Sequence, residues 1–501
     1  MTEMEQIMKS YESTRNKRLN STASLAVLKG IADDGGLYVM RDLENKKVNV
    51  EGLKGKSYIE MAEIILGEML DDFSLEKIKE CILNAYTNKF KTPEVVQVVP
   101  VGDSYVTELF QGPTSAFKDV ALSILPHLMK ASYYMNDIKG EVIVLTATSG
   151  DTGKAALEGF KDVDGTKIAV FYPEGGVSQV QKAQMVTQEG SNTYVSAIKG
   201  NFDDAQTAVK NIFTNEDLIN ELKANNKIFS SANSINIGRL VPQIVYYFYS
   251  YIKLVENNEI QMLDKVNFSV PTGNFGNILA GYYAKMLGLP VNKLICGSNE
   301  NNVLYDFIKT GIYDKNREFH KTISPSMDIL VSSNLERLLY YISGKDNEIV
   351  SQLMEQLKST GKYRVSSEMK EKIDQEFYAG CVFKEQTEKT IKETFEKHGY
   401  LLDTHTAVAY KTLEDYKEQT KDNTKSIVLS TASPYKFSKS VYEALYGENN
   451  HEEFEIMEEL SEKTGVEIPD NLKNLNTKKI LHTKVCEINE MEDYVRKISK
   501  E

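Results

Sequence analysis

Apolar residues recur every three or four positions through Ser57 to Leu70 (SYIEMAEIILGEML) and Leu75 to Phe90, a spacing that lines one face of a helix. It predicts a mostly helical N-terminal domain over residues 1–95. From residue 96 the texture changes to short β-branched runs without polar alternation: Glu141 to Ala147 (EVIVLTA), Lys167 to Tyr172 (KIAVFY), Val266 to Val270 (VNFSV) and Ser426 to Leu429 (SIVL). Each leads through a turn into a helical pattern. Strands that are apolar on both sides are buried on both faces, so the fold class is α/β, with parallel sheets covered by helices. The remainder divides into a first α/β lobe at 96–260, a second at 261–450 and a helical tail at 451–501. The second lobe carries a polar helical excursion near 335–400, which we expect to hold no chemistry. The apolar stretch Leu240 to Val255 contains Gln243 and Lys253 and is short for a bilayer, so it reads as a buried or amphipathic helix.

With 501 residues the chain has room for two or three cores, and 41% hydrophobic with 26% charged residues places it among globular proteins. The 72 acidic residues outnumber the 59 basic ones, giving a net charge of -13. Such a surface repels phosphate backbones, and no basic patch overrides it, so neither nucleic acid nor a membrane is an expected partner. Cys81, Cys296, Cys381 and Cys486 form no close pair, which argues against a disulfide scaffold or a zinc knuckle. The first twenty residues lack the apolar core of a secretory signal, and a reducing cytoplasm is the expected compartment. The six histidines form no ligand-spaced cluster, so no catalytic metal is expected.

Ligands of parallel sheets collect beyond the carboxyl ends of the strands, where helix N-termini attract anions. One such end is Thr148-Ser149-Gly150-Asp151-Thr152-Gly153, followed by a helical Lys154-Ala155-Ala156-Leu157. It reads either as a nest of donors or as a simple helix cap. Gly153-Lys154 resembles the close of a nucleotide-binding P-loop, but Thr148 stands where its first glycine belongs and Ala155 where its magnesium-binding hydroxyl belongs. That argues against an ATPase or a kinase. A second end, Gly273-Asn274-Phe275-Gly276-Asn277, offers two glycines for close backbone approach and asparagine amides as donors, the composition of a phosphate cradle. A third places Thr431 and Ser433 just past a buried strand. Lys118, in QGPTSAFKD, opens an apolar helix (VALSILPHL) that would desolvate its amine and lower its pKa, making it a Schiff-base candidate. The plain alternative is a solvated surface charge.

Together these segments resemble the threonine synthase family, pyridoxal-phosphate (PLP) enzymes of the tryptophan-synthase β-like fold, or fold type II. The resemblance runs from about residue 10 to 440, through Tyr11 to Arg15, Gly30 to Tyr38, Ser115 to Asp119, Ala147 to Gly153, Ser231 to Arg239, Gly273 to Asn277, Asp403 to Ala409 and Thr431 to Pro434. It implies two parallel-sheet lobes, PLP as cofactor, and a lyase converting O-phospho-L-homoserine and water to L-threonine and phosphate. Lys118 would carry the cofactor and then move protons; Gly273, Asn274, Phe275, Gly276 and Asn277 would hold the cofactor phosphate; Thr431 would face the pyridine nitrogen. Thr148, Ser149, Gly150, Asp151 and Thr152 would bind the substrate carboxylate, and Asn233, Ser234 and Arg239, with Lys154 beside them, the substrate phosphate.

Two positions depart from the pattern: Ser433 stands where many relatives have His, and Lys154 where they have a small residue. His405, in DTHTA at a helix start, reads as packing or capping rather than as a base. The alternatives are a PLP phospho-lyase of the same fold that releases 2-oxobutyrate and ammonia, and a noncatalytic binding protein; retention of Lys118 and the whole Gly273 loop argues against the latter. The expected assembly is a monomer or homodimer.

Overall fold

The structure is a computed structural model that describes residues 9–138, 140–148 and 150–501. Two sheets organise it. The larger runs in the order Phe377–Cys381, Val291–Ser298, Val266–Pro271, Ser426–Ser430, Ser104–Glu108, Gln97–Val101; all neighbours are parallel except the last pair. The smaller sheet is wholly parallel, in the order Lys484–Glu487, Thr193–Lys199, Thr166–Pro173, Glu141–Ala147, Lys227–Ser230. Central strands such as Val266–Pro271, Ser426–Ser430 and Thr166–Pro173 are buried at every position, as their unbroken apolar runs require.

The sheets do not take their strands in chain order. Gln97–Val101 and Ser104–Glu108 belong to the large sheet with the second lobe, and Lys484–Glu487 forms an edge of the small one. The reason is that strand pairing is decided by edges brought together over long chain separations, which local pattern does not encode. The excursion is likewise tied in: beyond its four helices it supplies Phe377–Cys381, an edge strand of the large sheet.

Among its described residues the N-terminal region holds three α-helices, Ala23–Lys29, Tyr58–Met69 and Leu75–Tyr86, and also a small antiparallel sheet of Asn16–Ser21, Tyr11–Ser13 and Tyr38–Met40. Ser57 and Glu60 close a capping box at the start of the second helix. Tyr58 packs edge-on against Tyr249 of the buried helix Ile244–Glu256, with ring centroids 5.4 Å apart. Arg337, fully buried, donates to the Tyr38 carbonyl at 2.9 Å, and Arg15 pairs with Glu336 at 2.7 Å. The N-terminal region is therefore bound to the start of the excursion by charge as well as by apolar contact. No helix of the described residues is long and apolar enough to cross a membrane.

Candidate active site

Lys118 is placed by the end of the central strand Ser426–Ser430. Phe117 N–H donates to the Thr431 carbonyl at 2.8 Å, Ser433 N–H donates to the Ser115 carbonyl at 3.1 Å, and Ala116 forms a bridge with Ala432. The turn before it is closed by Asp119, which accepts from Thr114 N–H at 2.8 Å and Thr114 Oγ1 at 2.5 Å. Gly112 is required there, since a Cβ would meet Asp119 at 2.5 Å. The Lys118 side chain is 12% exposed; its Nζ lies 3.5 Å from Ser326 Oγ and 3.9 Å from Asp151 Oδ2. Burial pushes the amine below the ordinary lysine value; Asp151 pulls it back up, and the Arg239 and Lys436 cations push it further down. A buried lysine with a depressed pKa is a competent nucleophile and proton carrier.

The Gly273 to Asn277 loop links strand Val266–Pro271 to helix Gly276–Met286, whose N-terminus has no side-chain cap. Phe275 turns the chain with a left-handed φ of 61° and buries its ring. Two carbonyls of the loop are held from the excursion side: Gly273 O accepts from Ser332 Oγ at 2.7 Å, and Asn274 O from Asn334 N and Nδ2 at 3.1 and 3.0 Å. A Cβ at Gly273 would meet the Ser326 carbonyl at 2.8 Å. Asn277 accepts through Oδ1 from the Tyr246 and Tyr247 hydroxyls at 2.7 and 3.0 Å, which fixes its amide with a buried Nδ2 that has no partner among the described residues. An uncapped helix start, glycine-thin backbone and an orphaned amide donor suit a phosphate monoester. The cofactor implied by the resemblance therefore fits the residues present, with Thr431 just past strand Ser426–Ser430 and bonded through its carbonyl to Phe117, next to Lys118.

On the next strand end, Thr148 acts as a cap: its Oγ1 accepts from Gly150 and Gly153 N–H at 3.0 and 2.9 Å. Ser149 lies outside the described residues. Gly150 has φ 142°, and a Cβ there would meet Gln181 at 2.4 Å, so only glycine serves. Asp151 is buried and accepts from Gln181 Nε2 at 3.0 Å. Burial alone would raise its pKa, but the Lys436 and Lys118 cations hold the carboxyl well below the usual carboxylate range. Thr152 is half-buried on the first turn of helix Asp151–Phe160. Lys154 pairs with Glu158 at 2.9 Å and contacts Gln188, so its ammonium already has partners.

Arg239 sits on the short helix Ile237–Leu240, which Asn236 caps through Gly238 N–H at 2.8 Å. Its guanidinium is 4% exposed, donates from Nη1 to the Ala232 carbonyl at 2.5 Å, and leaves Nε without a partner among the described residues. Burial pulls its pKa down to about 10. Asn233 and Ser234 are half-buried just before it, and Asn334 ties the Ser234 carbonyl, at 3.2 Å, to the Asn274 carbonyl. One asparagine of the excursion thus joins the segment leading to Arg239 to the phosphate loop.

Sequence reasoning missed four participants: Ser326, Asn334, Gln181 and Lys436. Only Lys436 carried a signal, a lysine set between aromatic residues in SPYKF. His405 performs the structural work expected of it. Its Nδ1 faces Asp403 Oδ1 at 3.0 Å, its Nε2 accepts Ser326 N–H at 3.1 Å, and its ring packs on Phe437 at 4.6 Å. Asp403 meanwhile caps helix Thr404–Thr420 through His405 N–H at 2.9 Å. The histidine holds the Ser326 turn above Lys118.

Known proteins match this arrangement along its length. Family models match residues 10–86 (threonine synthase N terminus), 105–432 (pyridoxal-phosphate dependent enzyme) and 406–495 (threonine synthase, C-terminal). Human threonine synthase-like 1 is 40% identical over 84% of this chain, which spans 58% of that longer protein. Threonine synthase of Schizosaccharomyces pombe is 38% identical over 87% of this chain and 89% of its own. The crystal structure of PLP-bound threonine synthase from Brucella melitensis superposes with a TM-score of 0.87 at 36% identity, covering 98% of this chain and 99% of that one. The chain belongs to the threonine synthase family of pyridoxal-phosphate-dependent enzymes.

Proposed function

We propose that the protein is a threonine synthase, converting O-phospho-L-homoserine and water to L-threonine and phosphate. The observation that carries the proposal is the pairing of a buried Lys118 of lowered pKa with two separate anion seats: the uncapped Gly273 to Asn277 loop, and the Arg239 guanidinium, whose Nε has no partner among the described residues. A cofactor phosphate and a substrate phosphate need two seats.

Gly273, Asn274, Phe275, Gly276 and Asn277 would hold the PLP phosphate, Thr431 the pyridine nitrogen and Lys118 the aldehyde carbon. Bound there, PLP supplies an electron sink that makes protons near the amino-bearing carbon removable. Lys118, its amine poised by burial, takes and returns those protons. Thr148, Ser149, Gly150, Asp151 and Thr152 form the seat for the substrate carboxylate. Thr148 contributes by fixing the loop backbone and Asp151 by holding Gln181, since their own side chains have partners. Arg239, flanked by Asn233 and Ser234, stabilises the phosphate as its bond to the γ-carbon breaks and negative charge builds. Water then adds its oxygen to the β-carbon. Lys154, an expected accessory to the substrate phosphate, is paired with Glu158 and Gln188 and would have to leave them to reach it. We place the protein in the cytoplasm, where its four unbonded cysteines fit a reducing milieu, as a monomer or homodimer.

Incubation with O-phospho-L-homoserine and analysis of the products tests the proposal. Threonine and phosphate in equal amounts are expected. 2-Oxobutyrate with ammonia as the main products, or no turnover by PLP-loaded protein, would overturn it.

A further inference from the structure

The fold buries a second lysine beside Lys118. Lys436 lies in the turn Pro434–Phe437 after strand Ser426–Ser430, and none of its side chain is exposed. Its ammonium stands 3.0 Å from Asp151 Oδ1 and 3.3 Å from the Thr114 carbonyl, and also contacts Gln184 Oε1. The other oxygen of Asp151 lies 3.9 Å from Lys118 Nζ. One buried carboxylate therefore stands between two buried lysine nitrogens.

This placement has a chemical consequence. A carboxylate within about 4 Å, left to Lys118 alone, would favour the protonated amine and raise its pKa by about one to three pH units. A protonated amine has no lone pair with which to attack a carbonyl carbon. The groups facing Lys118 are Asp151 from helix Asp151–Phe160, Asp119 from its own helix, Arg239 from helix Ile237–Leu240 and Lys436 from the turn. The Ser326 hydroxyl is its neutral neighbour. Of the two cations, only Lys436 also binds the carboxylate that opposes deprotonation.

We propose that Lys436 is a positioning residue that claims Asp151 and so keeps the Lys118 amine free of its proton and reactive toward a carbonyl carbon. The inference rests on Lys118 being the reactive amine of the proposed function. It also explains why a lysine is buried at this place: a neutral hydrogen-bond donor would hold Asp151 without offsetting its charge.

Competitive labelling tests it. Full-length protein freed of PLP is treated with trace acetic anhydride from about pH 6 to about 11, and the extent of reaction at Lys118 is read by mass spectrometry. In Lys436→Met the midpoint should rise by about one pH unit, so that labelling near neutrality falls about tenfold. Asp151→Asn should move the midpoint the other way and increase labelling, and the double variant should return close to the parent. A purely structural role would not produce shifts of opposite sign. If Lys436→Met fails to fold because Asp151 is stranded, Asp151→Asn and the double variant still decide. An unchanged midpoint in Lys436→Met, or an upward one in Asp151→Asn, would overturn the proposal. The labelling uses no substrate, so its failure leaves the product test of the proposed function intact, and the reverse holds.

Discussion

Replacing Arg239 with Met exchanges a buried cation for an unbranched apolar side chain. Burial lowers the pKa of this guanidinium from 12.5 to about 10. At about 1.4 kcal/mol per pH unit, that drop of about 2.5 corresponds to roughly 3 kcal/mol against the charged form. The sign follows from the depressed folded-state value: arginine is charged at neutral pH both folded and unfolded, so the cost is fully present below about pH 10 and fades as pH rises toward 12.5. The substitution removes this cost but also the hydrogen bond to the Ala232 carbonyl, worth about 1 kcal/mol. The net expectation is a protein more stable by about 2 kcal/mol when no anion is present, or about 2 °C in melting temperature for a chain of this size. Inorganic phosphate should reverse the ranking. It should raise the melting temperature of the PLP-loaded parent by occupying the guanidinium, and leave Arg239→Met unmoved. The variant should keep its cofactor while KM for O-phospho-L-homoserine rises and kcat falls. An Arg239→Met protein that melts below the parent without phosphate, and still gains stability from it, would refute both the uncompensated charge and the assignment of the seat.

Two further outcomes follow from single positions. Gly273→Val should cost about 1–3 kcal/mol of stability and weaken PLP retention in equilibrium dialysis, because its Cβ would meet the Ser326 carbonyl at 2.8 Å and the Met327 Cα at 3.2 Å; unchanged retention would separate the loop from the cofactor. His127 has its pKa lowered to about 4 by burial, with the Lys89 and Lys130 cations adding to the effect. The fold therefore prefers the neutral ring, stability is lost as pH falls from about 6.5 toward 4, and His127→Gln should flatten that part of a melting-temperature profile.

Much of the site was legible because its local requirements are strict. A parallel strand buried on both faces must be an unbroken apolar run, and Glu141–Ala147, Val266–Pro271 and Ser426–Ser430 lie within a residue or two of where the pattern placed them. The glycines at 150 and 273 stand where backbone or side chains approach too closely for a Cβ. Lys118 opens the helix that the apolar run predicted, and only the fold shows it buried rather than solvated.

What the sequence by itself determined is therefore the kind of fold and the strand ends that carry the loops, since each depends on neighbours along the chain. The tertiary structure alone decided how the charges are shared. Thr148 reads equally as a ligand donor and as a cap until its hydroxyl is found on Gly150 and Gly153 N–H. Lys154 reads as a free cation until Glu158 and Gln188 occupy it, while Arg239 proves to be a buried cation whose Nε has no partner among the described residues. Lys436 and Asp151 are remote in sequence and 3.0 Å apart in space. A charge takes its pKa from whatever the fold packs around it, from any distance along the chain, whereas periodicity records only which face of an element is buried.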